Sequence, residues 1–544
     1  MVTFAPSRGS VWLNKRKDVG VHALEEVSAD VTSIEGDVIV VGAGPVGMAT
    51  ALGLAHHGVR CTLVERRAEP TVGSKAFGVW GRTLETLDAW GLSERFLAAG
   101  DARDAVSPVT VETGRPAFTV DFTALAAESA MPGLLLIPQS STERLLREAV
   151  TSASGIDLVD GDVTDVRLDD AGADVDIASP DGGVTTIRAA YVVGADGSRS
   201  AVRESQGVRH EGRIIDHDLL VFDIALEDDA DLSPVRLVAK QPGLLAGLRF
   251  GPGRWRVLAS LEALTNPTTT ATDGPPPRKP DLPVERLEGF AHQLFGEREL
   301  DVLWQSQTTL YQQRVPDFRL GGRILLAGDS AHLVSPAGGQ GMNQGIQDAE
   351  NLAWSLAAAL RAGDGPTAES MLDGYAGERE HAADVVARRA QINSLLEFAT
   401  PPWLRPLGFF ALRIATRLSW FTRMLTRRLS MRDLRYRPHH SVRLRGSSRI
   451  GLGPVGRRLA NVVLPDGTRM VTHTQGRAAV ISIACDPPAV PPGMIAVRLE
   501  SAPRGSHLRS GQVAVLRADR YVAAVLRRPS AQRLAEVLAD TVGA

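Results

Sequence analysis

Cysteine is nearly absent from this chain of 544 residues. Cys61 and Cys485 are the only two, which excludes a disulfide scaffold or a cysteine-built metal centre and suits a reducing compartment, so a cytoplasmic protein is expected. No apolar run approaches the roughly 20 residues that a membrane-spanning helix needs. Residues 1–36 are polar and mixed in charge, without the apolar core of a signal peptide, and read as an extension before the first strand. Neither charge is in excess: 60 Lys and Arg face 63 Asp and Glu, a net charge of -3 that gives nucleic acid nothing to bind. No Ser-His-Asp set, metal-ligand cluster, CxxC or Trp-x-Trp stands out. The length exceeds one ordinary domain, and about two to four are expected.

What the chain does have is a glycine-punctuated stretch from Asp37 to Glu65, DVIVVGAGPVGMATALGLAHHGVRCTLVE. An apolar strand, Val38 to Val41, enters a loop with Gly42, Gly44 and Gly47. A helix follows, and a second strand ends at Glu65, with Arg66 next to it. This is a βαβ unit with a dinucleotide fingerprint. Gly42 allows the tight turn, Gly44 lets amides approach a pyrophosphate, and Gly47 lets helix and strand pack. Val46 lies inside the fingerprint, and the helix N-terminus offers unpaired N–H groups to the anion. Glu65 stands where an acid accepts hydrogen bonds from a ribose diol. On these residues alone the dinucleotide is either NAD or FAD.

Downstream, a Gly-rich loop carries Lys75 and Arg82, and IPQSSTERLLREAV predicts a helix after Pro138 capped by Ser141 or Thr142, with Gln139 just before it. Short strands with Asp-Gly and Asp-Asp turns lead to the apolar Tyr191 to Val193 and then GADGSRS, which contains Asp196. From Gly207 to Gly322 the pattern becomes strand-rich, interrupted by the Pro/Thr-rich LTNPTTTATDGPPPRKPDLP, whose composition forbids regular structure. GRILLAGDSAHLVSPAGGQGMN then gives a buried strand ending at Asp329, a Gly-rich loop and a long helix from about Met342. At the carboxyl end of a strand in an α/β sheet, Asp329 is placed for a cofactor contact.

Three elements in order, GAGPVG with Glu65, GADGSRS, and LAGDSAHLVSPAGGQGMN, resemble the FAD-dependent aromatic hydroxylases, the single-component flavoprotein monooxygenases of p-hydroxybenzoate hydroxylase type, over roughly residues 37 to 400. The resemblance implies non-covalent FAD, NADH or NADPH as co-substrate, and insertion of one oxygen atom from O2 into a phenolic or polycyclic aromatic substrate through a flavin C4a-hydroperoxide. It puts Glu65 on the adenosine ribose and counts Gly42, Gly44, Val46, Gly47 and Arg66 among the cofactor-binding residues. The loop containing Arg82 comes alongside the flavin, Gln139 by the FAD, Asp196 near the pyrophosphate, Asp329 on the ribitol, and Pro336, Gly341, Met342 and Asn343 against the isoalloxazine ring. No catalytic side chain beyond these is implied, because the flavin carries the hard chemistry. Baeyer–Villiger or polyketide-tailoring oxygenation is the alternative outcome, and a flavin-binding protein without oxygenase activity the non-catalytic one.

The implied fold class is α/β: a Rossmann-like FAD-binding domain at 37–206 and 320–400, with an inserted β-rich substrate domain at 207–319. Pocket walls are expected around residues 219 to 258 and 304 to 315, where Trp255, Tyr311 and Arg314, with Trp80 from outside, are candidates that read better as structural residues. Residues 401–455 are an Arg-rich helical segment, either touching anionic lipid or a partner or, as expected here, packed on its own protein. Residues 456–544 resemble the thioredoxin-like domain of the larger aromatic hydroxylases; one cysteine leaves them without dithiol chemistry. Relatives often carry Pro-Asp-Gly in their hairpin where this chain has Ala518, Asp519 and Arg520. The expected partners are an aromatic substrate and O2, with no nucleic acid or membrane, in a monomer or homodimer.

Overall fold

The computed structural model describes residues 38–543 except 68–75, 77, 240–242, 263–279, 335–338, 399–400, 402, 438–452, 462–463, 465–466, 475, 493 and 504–505. The N-terminal extension, Lys75 and Pro336 therefore lie outside the described residues.

The apolar strands assemble into a six-stranded sheet ordered Ile156–Asp160, Cys61–Glu65, Val38–Val41, Tyr191–Gly194, Ile324–Leu326 and Arg319–Leu320. The first five are parallel, in registers such as Val38 with Cys61 and Val192 with Ile324; the last is antiparallel. Every residue of the central Val38–Val41 is buried, as continuous apolar strands of a covered parallel sheet must be. Helix Pro45–His56 packs against the helices Gln139–Ser152 and Gly341–Ala362. At its crossing with the latter, a Cβ on Gly53 would sit 2.8 Å from the Ala353 Cβ. The Gln139 helix begins two residues before the expected caps, because Pro138, with φ -59° and ψ 144°, ends the extended chain directly at Gln139.

The strand-rich middle builds an eight-stranded sheet around the long antiparallel pair Glu211–Leu226 and Leu300–Arg314. It also recruits Val109–Thr110, Arg115–Pro116 and His332–Leu333 from outside residues 207–319. One face, with Leu220, Phe222, Ile224, Trp255 and Val257, packs on the helix Val284–Phe295. Trp255 belongs wholly to this core, fully buried, with its ring 4.8 Å from Phe295 and its Nε1 donating to Asp229 Oδ2 at 2.9 Å.

The long helix Pro366–Phe398 leads to the helices Arg405–Ala415 and Ser419–Leu429. The C-terminal part forms a four-stranded sheet ordered Ile495–Leu499, Ala479–Ile483, Gln512–Leu516, Val522–Arg527. Its first pair is parallel and the other two pairs are antiparallel. The final helix Ala531–Val542 is capped by Ser530, whose hydroxyl accepts from Arg533 N at 3.2 Å.

Candidate cofactor groove

Gly42 has φ 97°, and a Cβ there would lie 2.8 Å from Asp196 Cα, so the turn needs glycine for both conformation and space. A Cβ on Gly47 would fall 1.7 Å from Gly42 O, which fixes the third glycine by packing alone. Gly44 differs: its φ of -71° suits any residue and a Cβ would meet nothing within 4 Å. It faces open space at the N-terminus of Pro45–His56.

A second helix N-terminus reaches the same place. Val46, in the first turn of Pro45–His56, fills the space over Gly328 and Gly345, where added Cβ atoms would sit 2.9 and 2.5 Å from its Cγ2. Gly345 belongs to the first turn and a half of Gly341–Ala362, and Gly328, with φ 66°, begins the turn that contains Asp329. Both helix starts and the Asp329 turn therefore meet at Val46. Neither helix has an acidic side chain of its own in its first turn to offset the positive end of its dipole. A Cβ on Gly341 would also meet open space. Asp329 is exposed between its buried neighbours Gly328 and Ser330.

Glu65 closes one end. Its side chain is buried, its Oε2 accepts from Ala43 N at 2.6 Å, and its Oε1 accepts from Arg67 N at 3.0 Å. Arg66 points to solvent. Asp196 Oδ2 accepts from Val202 N at 3.2 Å while Oδ1 is enclosed without a partner, and burial pushes this carboxyl above the usual carboxylate range despite its hydrogen bonds. Gln139 Oε1 accepts from Ala76 N at 3.2 Å, and Arg256 Nη1 donates to Ala76 O at 2.9 Å. Ala76 thus ties the parallel-sheet region to the eight-stranded sheet.

Two of these side chains are engaged in the interior. Arg82 does not turn toward the groove: its guanidinium is buried, pairs with Glu350 and donates to Thr86 Oγ1 at 2.6 Å, because its phase on the helix Gly81–Ala89 faces Gly341–Ala362. The side chain of Asn343 is likewise spent inside. Its Oδ1 accepts from Trp80 N at 2.8 Å and its Nδ2 donates to Gly78 O and Gly339 O, both at 2.9 Å, so the side chain positions backbone. Met342 packs toward Ala49 and Ile346, which leaves the amides at this helix start as its contribution to the open space.

Asp348 is the residue that sequence reasoning missed. Fully buried, it accepts from Gly328 N at 3.1 Å, from Arg379 Nε at 2.6 Å, and lies 2.6 Å from His332 Nε2, while Arg379 Nη1 donates to Tyr436 Oη at 2.9 Å. Burial alone would raise this carboxyl, but Arg379 and His332 more than offset it and hold it below the usual range. The network pins the turn that presents Asp329. Its only sequence signal was a carboxylate on the inward face of an Ala- and Leu-rich helix.

The face of the eight-stranded sheet opposite Trp255 carries Leu219, Val221, Leu258 and Trp304. Beside them, Arg256 pairs with both oxygens of Asp223 at 2.7 Å and lies 5.8 Å from the Trp304 ring. Near the edge strand His332–Leu333, a polar cleft of about 320 Å³ is lined by Gln313, Val334 and Gln391, with Arg314 held by Asp384 at 2.9 Å. Trp80 packs in a core with Phe122 and Met431, and the side chain of Tyr311 lies outside the described residues.

A family model for the FAD binding domain matches residues 35–390. The rifampicin monooxygenase of Streptomyces venezuelae is 34% identical over 387 residues, covering 68% of this chain and 74% of its own. The 12-dehydrotetracycline 5-monooxygenase/anhydrotetracycline 6-monooxygenase of Streptomyces rimosus is 32% identical over 466 residues, covering 83% and 86%. Among solved structures, the anhydrotetracycline hydroxylase OxyS from Streptomyces rimosus superposes with a TM-score of 0.73 at 26% identity, covering 94% of this chain and all of its own.

Proposed function

The chain belongs to the FAD-binding-domain family of flavoprotein monooxygenases, and from that premise we propose that it hydroxylates a phenolic polycycle of polyketide type with NAD(P)H and O2. It is an FAD-dependent monooxygenase of aromatic compounds. The observation that carries the reading is the convergence of two helix N-termini with no acid in their first turns and the Asp329 turn on Val46, with open space before Gly44 and Gly341.

These residues fit FAD. The space before Gly44 suits a pyrophosphate against the amides of the first helix, and the enclosed Oδ1 of Asp196 lacks only a donor. Glu65 would accept from the adenosine ribose hydroxyls and Asp329 from the ribitol. The amides opening Gly341–Ala362 would face the pyrimidine edge of the ring, where their dipole favours negative charge. When bound, FAD supplies the electron transfer and oxygen activation. The chain's own residues bind and orient it: Asp348 fixes the turn bearing Asp329, and Asn343 fixes the backbone at 78–80 and 339. Leu219, Val221, Leu258 and Trp304 form the apolar wall against which an aromatic substrate would lie.

The same reading takes the eight-stranded sheet as the substrate domain and residues 456–544 as thioredoxin-like. Its strand order, one parallel and two antiparallel pairs, supports the latter. Relatives named for tetracycline and rifampicin oxidation support a large polycyclic substrate. The test is reconstitution with FAD followed by a panel of phenols scored by the rate of NAD(P)H consumption. Acceleration by polycyclic phenols is expected, whereas protein that takes up no FAD sinks the proposal.

A further inference from the structure

The helices Arg405–Ala415 and Ser419–Leu429 turn large apolar side chains toward water. On the first, Phe409 faces inward with its ring 6.2 Å from Phe118, and Arg405 Nη1 donates to Gly243 O at 2.8 Å. The opposite stripe, Leu407, Phe410 and Ile414, is exposed, Phe410 by 60%. On the second, Thr422 and Thr426 are buried and Leu425 and Leu429 pack into the core around Trp80 and Phe122. Trp420 and Met424 stand out on the other side, Trp420 exposed by 62%, and Trp403 and Leu418 beside the helices extend the surface. The segment was expected to pack on its own protein, and its inner half does so. The outer half has no such contact among the described residues.

Its charge is one-sided. Residues 401–432 hold seven arginines and no acidic residue. Arg427 pairs with Glu128 and Arg432 with Glu85, but Arg413, Arg417, Arg423 and Arg428 have no acidic partner among the described residues. Soluble surfaces seldom keep so continuous an apolar stripe without an occupant.

We propose that this helix pair binds the surface of an anionic lipid bilayer, lying in the interface with Phe410, Ile414, Trp420 and Met424 inserted and the unpaired arginines at the headgroups. Arginine on the flanks and aromatic and aliphatic residues between them are what an interfacial helix requires. A second copy fits less well: a twofold contact through this patch would set arginines against arginines, with no acid in the patch to neutralise them. No helix among the described residues is long and apolar enough to cross the membrane, so the contact is peripheral.

The test is flotation of the full-length, FAD-loaded protein with vesicles of phosphatidylcholine alone or mixed with phosphatidylglycerol. Binding to the mixed vesicles, weakened by salt, is expected. Arg413→Gln with Arg417→Gln should weaken it about thirtyfold. Phe410→Ser with Trp420→Ser should abolish it at every salt concentration. Both pairs are exposed, so flavin content and melting temperature should stay unchanged. Failure to float with either vesicle, equal binding to both, or a dimer dispersed by Trp420→Ser without any vesicle binding would overturn the proposal.

Discussion

At Gly44 folding and cofactor binding come apart. The residue needs no special conformation and has room for a side chain, so Gly44→Ala should change apo-protein stability by less than about 1 kcal/mol. The added methyl occupies the space proposed for the pyrophosphate, and the FAD dissociation constant should rise by roughly tenfold or more. Gly47→Ala should instead yield little folded protein, since its Cβ would overlap Gly42 O. Thermal melts of the apo forms with FAD titrations separate the two cases. Cys61 offers a simpler check on the interior: burial, with Asp157 nearby, pushes its thiol up to about 12. Alkylation of native protein at pH 8 should leave Cys61 unmodified by mass spectrometry, and denaturant should expose it.

Among elements, the Asp329 turn shows what sequence can and cannot disclose. Its glycines and its place after an apolar strand are local features, and they located the turn and the helix behind it. What holds it is not local: Asp348 lies 20 residues from Gly328, and its partner Arg379 a further 31 away. Such pairs leave no periodic trace. The interior bonds of Arg82 and Asn343 are hidden for a related reason, because a motif fixes a residue's place in the chain while helix phase decides which way its side chain points. Asp348→Asn would leave Arg379 buried without its anion, and a loss of about 3–5 kcal/mol is expected by denaturant titration. Glu85, on the helix Gly81–Ala89, tests the same physics through pH. Burial would raise its carboxyl, but Arg458 and then Arg432 bring it down to about 2. Since the unfolded value is about 4.3, its contribution is fully present above that pH and is lost as pH falls toward 2. Glu85→Gln should flatten the decline of stability across this window.

At the scale of the molecule, the C-terminal sheet is fastened to the rest through its hairpin. Arg517, fully buried, donates to Glu378 Oε1 at 2.5 Å and Oε2 at 2.8 Å and pairs with Asp519, its guanidinium 5.0 Å from the Trp354 ring. Arg520 takes φ 65°, the left-handed conformation that glycine usually supplies, and reaches Glu85 at 3.4 Å. Arg517→Ala strands two buried carboxylates and should cost about 3–5 kcal/mol, read as a lowered melting temperature. The order of the α/β elements was legible because apolar strands and glycine turns are written locally. The recruitment of residues 109–116 and 332–333 into the second sheet was not, since their strands are only two residues long. The central claim, that this chain inserts one atom of O2 into an aromatic ring, is tested most directly by turnover under ¹⁸O2 with NAD(P)H and a polycyclic phenol that accelerates NAD(P)H oxidation. The account predicts a product carrying one ¹⁸O atom for each NAD(P)H consumed, the second atom leaving as water. Product without the label, or NAD(P)H consumption that yields only hydrogen peroxide with every phenol, would contradict it.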